Sequence, residues 1–192
     1  MMTVQEEYQR KKQTYKLILL FAMISMVMMF AGLTSAYIVS SSRKDWLVDL
    51  KMPMAFILST LVIVVSSFTF HLAQKSISKD NREATTQFLI ATLVLGIAFV
   101  VLQFVGFGQI IEQGYFFTGS QSNVTTSFMY IVVIAHLAHL FGGLIALLII
   151  IYNHFKQKYN SSQTIGIELG AMFWHFLDLL WVLLFLFFYF YK

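Results

Sequence analysis

An all-α membrane protein with five transmembrane helices is the fold class this sequence predicts. Two observations carry that prediction. Of 192 residues, 58% are hydrophobic and only 11% are charged, whereas soluble domains carry about 25% charged residues. The apolar residues also gather into five runs, at 17–39, 53–73, 88–111, 124–152 and 169–191. Each run has roughly 20 residues or more, enough for a hydrocarbon core about 30 Å thick. In lipid the backbone must satisfy its own hydrogen bonds, so runs of this length are helices.

The first run follows Arg10, Lys11, Lys12 and Lys16, as a signal peptide would. It exceeds the roughly 7–15 residues of a signal core and closes on no small-x-small cleavage site, so it reads as a retained helix. Residues 1–15 read as a polar cytoplasmic tail or interfacial helix, and 16–192 as one membrane domain. The second run opens at Pro53, a first-turn position where the missing N–H costs nothing. The loops are too short for a soluble domain. Lys and Arg orient the chain. Nine lie in the N-terminal segment and the second and fourth loops; four, Arg43, Lys44, Lys51 and Lys192, lie on the opposite side. This predicts a cytoplasmic N-terminus, a C-terminus outside, and an outward loop at 112–123.

Several function classes fall away. The net charge of +4 belongs to a chain whose solvent is lipid, so it does not indicate nucleic-acid binding. There is no cysteine, hence no disulfide, thiolate metal site, thiolate-bridged copper or C-x-x-C-H haem attachment. Met23, Met26, Met28 and Met29 spread around the first helix without His or Cys nearby. They read as adaptable packing groups rather than a Cu(I) site. Tyr15, Trp46, Tyr115, Tyr152, Tyr159, Trp174, Tyr189 and Tyr191 lie near run ends, where amphipathic rings suit the headgroup zone.

Polar residues within the runs are the candidates for function. His136, His139 and Gly143 stand at i, i+3 and i+7, on one helical face. Gly142 and Gly143 predict close approach of a neighbouring helix, with interhelical hydrogen bonds from the two imidazoles. In the last run, His175 and Asp178 are one turn apart, and Trp174, Asp178 and Trp181 form a stripe. His175 is the expected partner of Asp178, in a buried polar clasp. Gln103 lies in the third run, and Ser66 and Ser67 in the second read as helix-contact residues. His71 and His154 fall near helix ends, where side chains snorkel.

Three readings of the histidines compete: a metal or haem site, a proton relay, and satisfied polar pairs that fix helix packing. Depth separates the histidines. His139 lies about 20 Å and His175 about 9 Å from the cytoplasmic ends of their helices, too far apart to share a metal whose nitrogen ligands sit at about 2 Å. His71 and His175 are closer in depth and could ligate a haem. The structural reading explains the pattern best.

FWHFLDLLW resembles the last helix of subunit III of haem-copper respiratory oxidases, whose pattern is close to W-H-F-x-D-x-x-W: Trp174, His175, Phe176, Asp178 and Trp181 all fit. His136, His139 and Gly143 match the family's H-x-x-H-x-x-x-G. FAGLTSAYIV, MPMAFILSTLVIVVSS (through Pro53, Thr60, Ser66 and Ser67) and GIAFVVLQFVGFGQIIEQG resemble its earlier segments. The likeness spans about residues 17–191. The resemblance implies the short five-helix bacterial form, lacking two helices of the long form. It also implies an accessory subunit of a cytochrome c oxidase, with no active site, metal or cofactor of its own. Haems and copper are then expected in subunits I and II, its partners in the bacterial inner membrane, along with phospholipids and a larger respiratory supercomplex. The implied role is support of assembly, lipid binding, proton uptake and turnover stability in aerobic electron transport. A quinol oxidase subunit and a nitric oxide reductase accessory protein are the alternatives within the family; a self-standing haem or proton-conducting protein is the one outside it. The chain departs from the family at Gly106, where a buried Glu one turn after Gln103 is usual.

Overall fold

The structure is a computed structural model that describes residues 4–43, 46, 52–119, 123–160 and 163–191. Lys44, Lys51 and Lys192, used above for orientation, lie outside the described residues. Five helices are present: α1 Val4–Ser40, α2 Met54–Ile77, α3 Arg82–Glu112, α4 Val124–Phe155 and α5 Ile165–Phe190. All five are long and apolar enough to cross a membrane, and no strand occurs among the described residues. This is the all-α polytopic architecture expected from the five runs.

The helices outrun their apolar spans, because polar residues continue and then cap them. Residues 4–15, within the stretch expected as a cytoplasmic tail or interfacial helix, belong to α1. The α3 helix begins at Arg82, where the Asn81 side chain accepts from Ala84 N at 3.1 Å. Asn123 caps α4 by accepting from Thr125 N at 2.9 Å. Pro53 is the residue before α2, with φ −58°, and its carbonyl accepts from Phe56 N. Between α2 and α3, Asp80 takes φ 54°, a left-handed conformation that Asp tolerates.

Helices α2 to α5 close a four-membered ring in which each touches the next: α2 on α3, α3 on α4, α4 on α5, and α5 on α2. The α1 helix lies outside the ring against α4 and α5. Ile63, Phe70, Phe99, Leu140, Trp174 and Leu177 fill the interior. The outer surface is as apolar as the core, with Phe68 67% exposed and Phe190 77% exposed. Such a surface is at rest in hydrocarbon and would aggregate in water.

Because lipid is as apolar as a Leu side chain, burial alone does not hold a peripheral helix. The α1 helix is fastened at both ends. Lys12 Nζ and Lys16 Nζ reach the two oxygens of Glu168 on α5 at 2.6 and 2.8 Å. Thr164 donates to the same carboxylate at 2.6 Å. At the other end Tyr37 sits edge-on to Phe187 and Phe188, each at 5.4 Å, and Ser41 meets Tyr191 at 3.3 Å. Substituting Glu168→Gln should weaken the first fastening by about 1 kcal/mol. In detergent, trypsin should then cut faster at Arg10, Lys11, Lys12 and Lys16; an unchanged cleavage rate would refute the anchor.

Candidate functional site

The polar residues of the spans converge on α2. Its hydroxyl residues Ser59, Thr60, Ser66, Ser67 and Thr69 recur at helical spacing along the sides facing α3 and α5. Four of them donate to their own backbone three or four residues back: Ser59 and Thr60 to Phe56 O, Ser66 to Ile63 O, and Thr69 to Ser66 O, at 2.7–2.9 Å. Each oxygen then keeps a lone pair for a neighbouring helix. Groups that carry N–H take it. Trp174 Nε1 donates to Ser66 Oγ at 3.0 Å and Trp181 Nε1 to Thr60 Oγ1 at 3.0 Å. Gln103 Nε2 donates to Ser59 Oγ at 2.8 Å. The Thr69 and Thr92 hydroxyls meet at 2.8 Å. The seam ties α5 to one side of α2 and α3 to the other.

His175 also bonds to α2. Its Nδ1 is 2.6 Å from Ser67 Oγ. The clasp expected between His175 and Asp178 is therefore replaced: the serine on the adjacent helix faces His175. Asp178 is buried, 4% exposed, and neither carboxyl oxygen has a hydrogen-bond partner. Ser67 lies alongside it, but the short contact engages that hydroxyl with His175. Phe176 on the same helix is half-buried against the core.

On α4, the expected interhelical hydrogen bonds from the two imidazoles do not form. His139 Nδ1 turns back to Ala135 O of its own helix, 2.7 Å away. His136 is fully buried among the rings of Phe30, Phe99 and Trp181, 5.2–6.4 Å centroid to centroid, and neither ring nitrogen is bonded. Aromatic walls on three sides leave it no donor or acceptor. Gly142 and Gly143 also part company. A Cβ at Gly143 would stand 2.9 Å from Leu177 Cδ1, so this glycine receives an α5 side chain; a Cβ at Gly142 would meet nothing. The close contact involves one glycine and a side chain, not a backbone. His154 does not snorkel: it is buried, and its Nε2 meets Thr86 Oγ1 at 2.9 Å.

The departure at Gly106 has a structural counterpart. A Cβ there would stand 2.6 Å from the Phe56 ring, so Phe56 occupies the space that a longer side chain would need. Gln103, one turn away, is fully buried. Sequence reading passed over Ser59, Phe56 and Glu168. The helical spacing of Ser59, Ser66 and Thr69 with Ile63 was the available signal for the first. Glu168, the acid at the mouth of the last run, was the signal for the anchor.

Among the described residues, no three His, Asp or Glu side chains are placed to hold a metal ion. Ser67 Oγ and His175 Nδ1 meet within the seam between α2 and α5. Its chemistry is that of hydrogen-bonded helix contact. Two substitutions separate the seam from the carboxyl. Ser67→Ala strips His175 of its partner and should cost about 1 kcal/mol. Asp178→Ala removes a buried carboxyl that contributes no bond and should leave stability unchanged or raise it. Thermal midpoints in detergent, with the 15N shift of His175 Nδ1, distinguish them; the opposite ranking would reinstate the His175–Asp178 clasp.

Residues 6–192 match the profile of the family described as cytochrome c oxidase subunit III. Cytochrome c oxidase subunit 3 of Thermostichus vulcanus is 28% identical over 87% of this chain and 82% of its own length. Cytochrome bo(3) ubiquinol oxidase subunit 3 of Buchnera aphidicola is 29% identical, with the same two shares. Cytochrome c oxidase subunit 3 of Petromyzon marinus is 31% identical over 68% of this chain, which spans 48% of that protein. With its matching profile, five spanning helices and seam built from Trp174, His175 and Trp181, the chain belongs to the cytochrome c oxidase subunit III family.

Proposed function

We propose that this chain is the non-catalytic third subunit of a proton-pumping haem-copper terminal oxidase in the bacterial inner membrane. Its N-terminus lies in the cytoplasm and its C-terminus outside. It packs beside subunit I, with subunit II completing the core, and supports their assembly, proton uptake and durability through many turnovers. Haems and copper belong to those partners. Membrane phospholipids cover its apolar outer surface.

The observation that carries the reading is where the signature residues of α5 are directed. Trp174, His175 and Trp181 all bond to hydroxyls of α2. An indole N–H engaged in this way serves the scaffold and is not available to a substrate. Similarity to the Buchnera protein favours a second reading within the family, in which the complex oxidises a quinol instead of cytochrome c.

Purification through a tag on this chain, in mild detergent, tests the proposal. The expected eluate contains haem- and copper-bearing chains and reduces oxygen; the donor it accepts, cytochrome c or a quinol, selects between the two readings. Recovery of this chain alone, with a fully active oxidase in the unbound fraction, would overturn both.

A further inference from the structure

Two ionisable groups beside the hydroxyl seam take no part in it. Asp178 makes no bond to it, and His71 stands outside it, exposed. Ionisable groups in spanning helices normally face a bundle interior or a water-filled cavity. Here they line one side of an open groove of about 420 Å³ between α2 and α5 with Ser67 and His175, the other side being apolar through Val64, Phe68, Leu179 and Val182. His71 also lines a second, more polar cleft of about 240 Å³ with Gln74, Lys75, Ser78, Thr164 and Glu168. That cleft lies where α2 ends and α5 begins, at the end of the bundle that carries Lys12 and Lys16. The two cavities meet at His71.

From His71 inward, burial deepens step by step. The His71 and His175 rings are 6.4 Å apart, centroid to centroid, within reach of direct contact or one bridging water. His175 is half-buried, and its Nδ1 contacts Ser67 Oγ at 2.6 Å. Ser67 and Asp178 line the same groove, and Asp178, at 4% exposure, is the most buried of the set. An ionised carboxylate without a donor in this setting is strongly disfavoured. A carboxylic acid costs far less, but its proton must arrive along polar groups.

We infer that the α2–α5 groove is a proton inlet, which carries a proton from water at the basic end of the bundle through His71, His175 and Ser67 to Asp178. The transfers balance without any electron moving. Water in the cleft gives a proton to His71, which passes it to Nε2 of His175. Nδ1 of His175 releases its own proton to the Ser67 oxygen. The Ser67 hydroxyl, turning toward Asp178, gives its original proton to the carboxylate. Water loses one proton and Asp178 gains one. The charged and titratable groups around this route are His71 and Lys75 from α2, His175 and Glu168 from α5, and Lys12 and Lys16 from α1, both held by Glu168. The inference rests on the oxidase reading only for the destination of the proton beyond Asp178.

Infrared difference spectroscopy on the full-length chain in detergent tests it. A carboxylic C=O band present in the wild type and lost in Asp178→Asn is expected, and that band should shift on transfer to D2O. His71→Gln should slow the shift about tenfold or more. His71 takes no part in the seam, so this variant keeps the fold, which circular dichroism verifies; His175→Gln should slow the shift as well. Three results would each overturn the inlet: no band lost in Asp178→Asn, a band that does not exchange, or exchange equally fast in His71→Gln. None of them bears on the oxidase reading, which co-purification decides.

Discussion

The row of side-chain hydroxyls on α2 is the constraint on which the rest of the structure depends. Between helices in a bilayer, hydrophobic burial supplies no net attraction, so packing and hydrogen bonds must hold the bundle. Each hydroxyl of the pairs to Trp174, Trp181 and Gln103 donates to a carbonyl of its own helix and accepts an N–H from a neighbour. The bond is directional and so sets register. Trp174 and Trp181 meet Ser66 and Thr60 in reverse order, as two antiparallel helices require. Gln103 and Thr92 meet Ser59 and Thr69 in the same manner on the other side.

Shape follows from that register. With its indole N–H on Ser66, the Trp174 ring reaches across to Gly96 on α3, where a Cβ would stand 2.8 Å from it. Leu177 fills the notch at Gly143, and Phe56 the notch at Gly106. Small residues in two helices, α3 and α4, thus receive large ones from α2 and α5. The α1 helix stands apart from this interlock and relies on Glu168 at one end and the Tyr37 aromatic cluster at the other. Asp178 stands apart in another sense. It is a buried polar group that the packing does not use, and a scaffold selected for stability alone would have no reason to hold it.

The fold was largely legible in the sequence, because five long apolar runs admit one secondary structure in lipid. The helix ends were less so, since hydropathy marks the width of the bilayer, whereas caps such as Asn81 and Asn123 mark where the backbone stops being helical. The site was legible as a set of residues but not as a set of bonds. Spacing along one helix made His175 and Asp178 look like partners; a serine on another helix, invisible to that spacing, takes His175 instead. Likewise His136 and His139 share a face, yet one is enclosed by rings from α1, α3 and α5 and the other bonds its own backbone. Gly142 and Gly143 were indistinguishable until the neighbour, Leu177, was known. In each case the missing information was the identity of the facing helix.

The central claim is that α2 hydroxyls bind α5 through its indoles. A double-mutant cycle on Ser66→Ala and Trp174→Phe, read from unfolding free energies in detergent, tests it most directly, since Phe keeps the ring and removes the N–H. A coupling energy of about 1 kcal/mol is expected, within the range found for membrane helix hydrogen bonds. Additivity of the two substitutions within about 0.3 kcal/mol would contradict it.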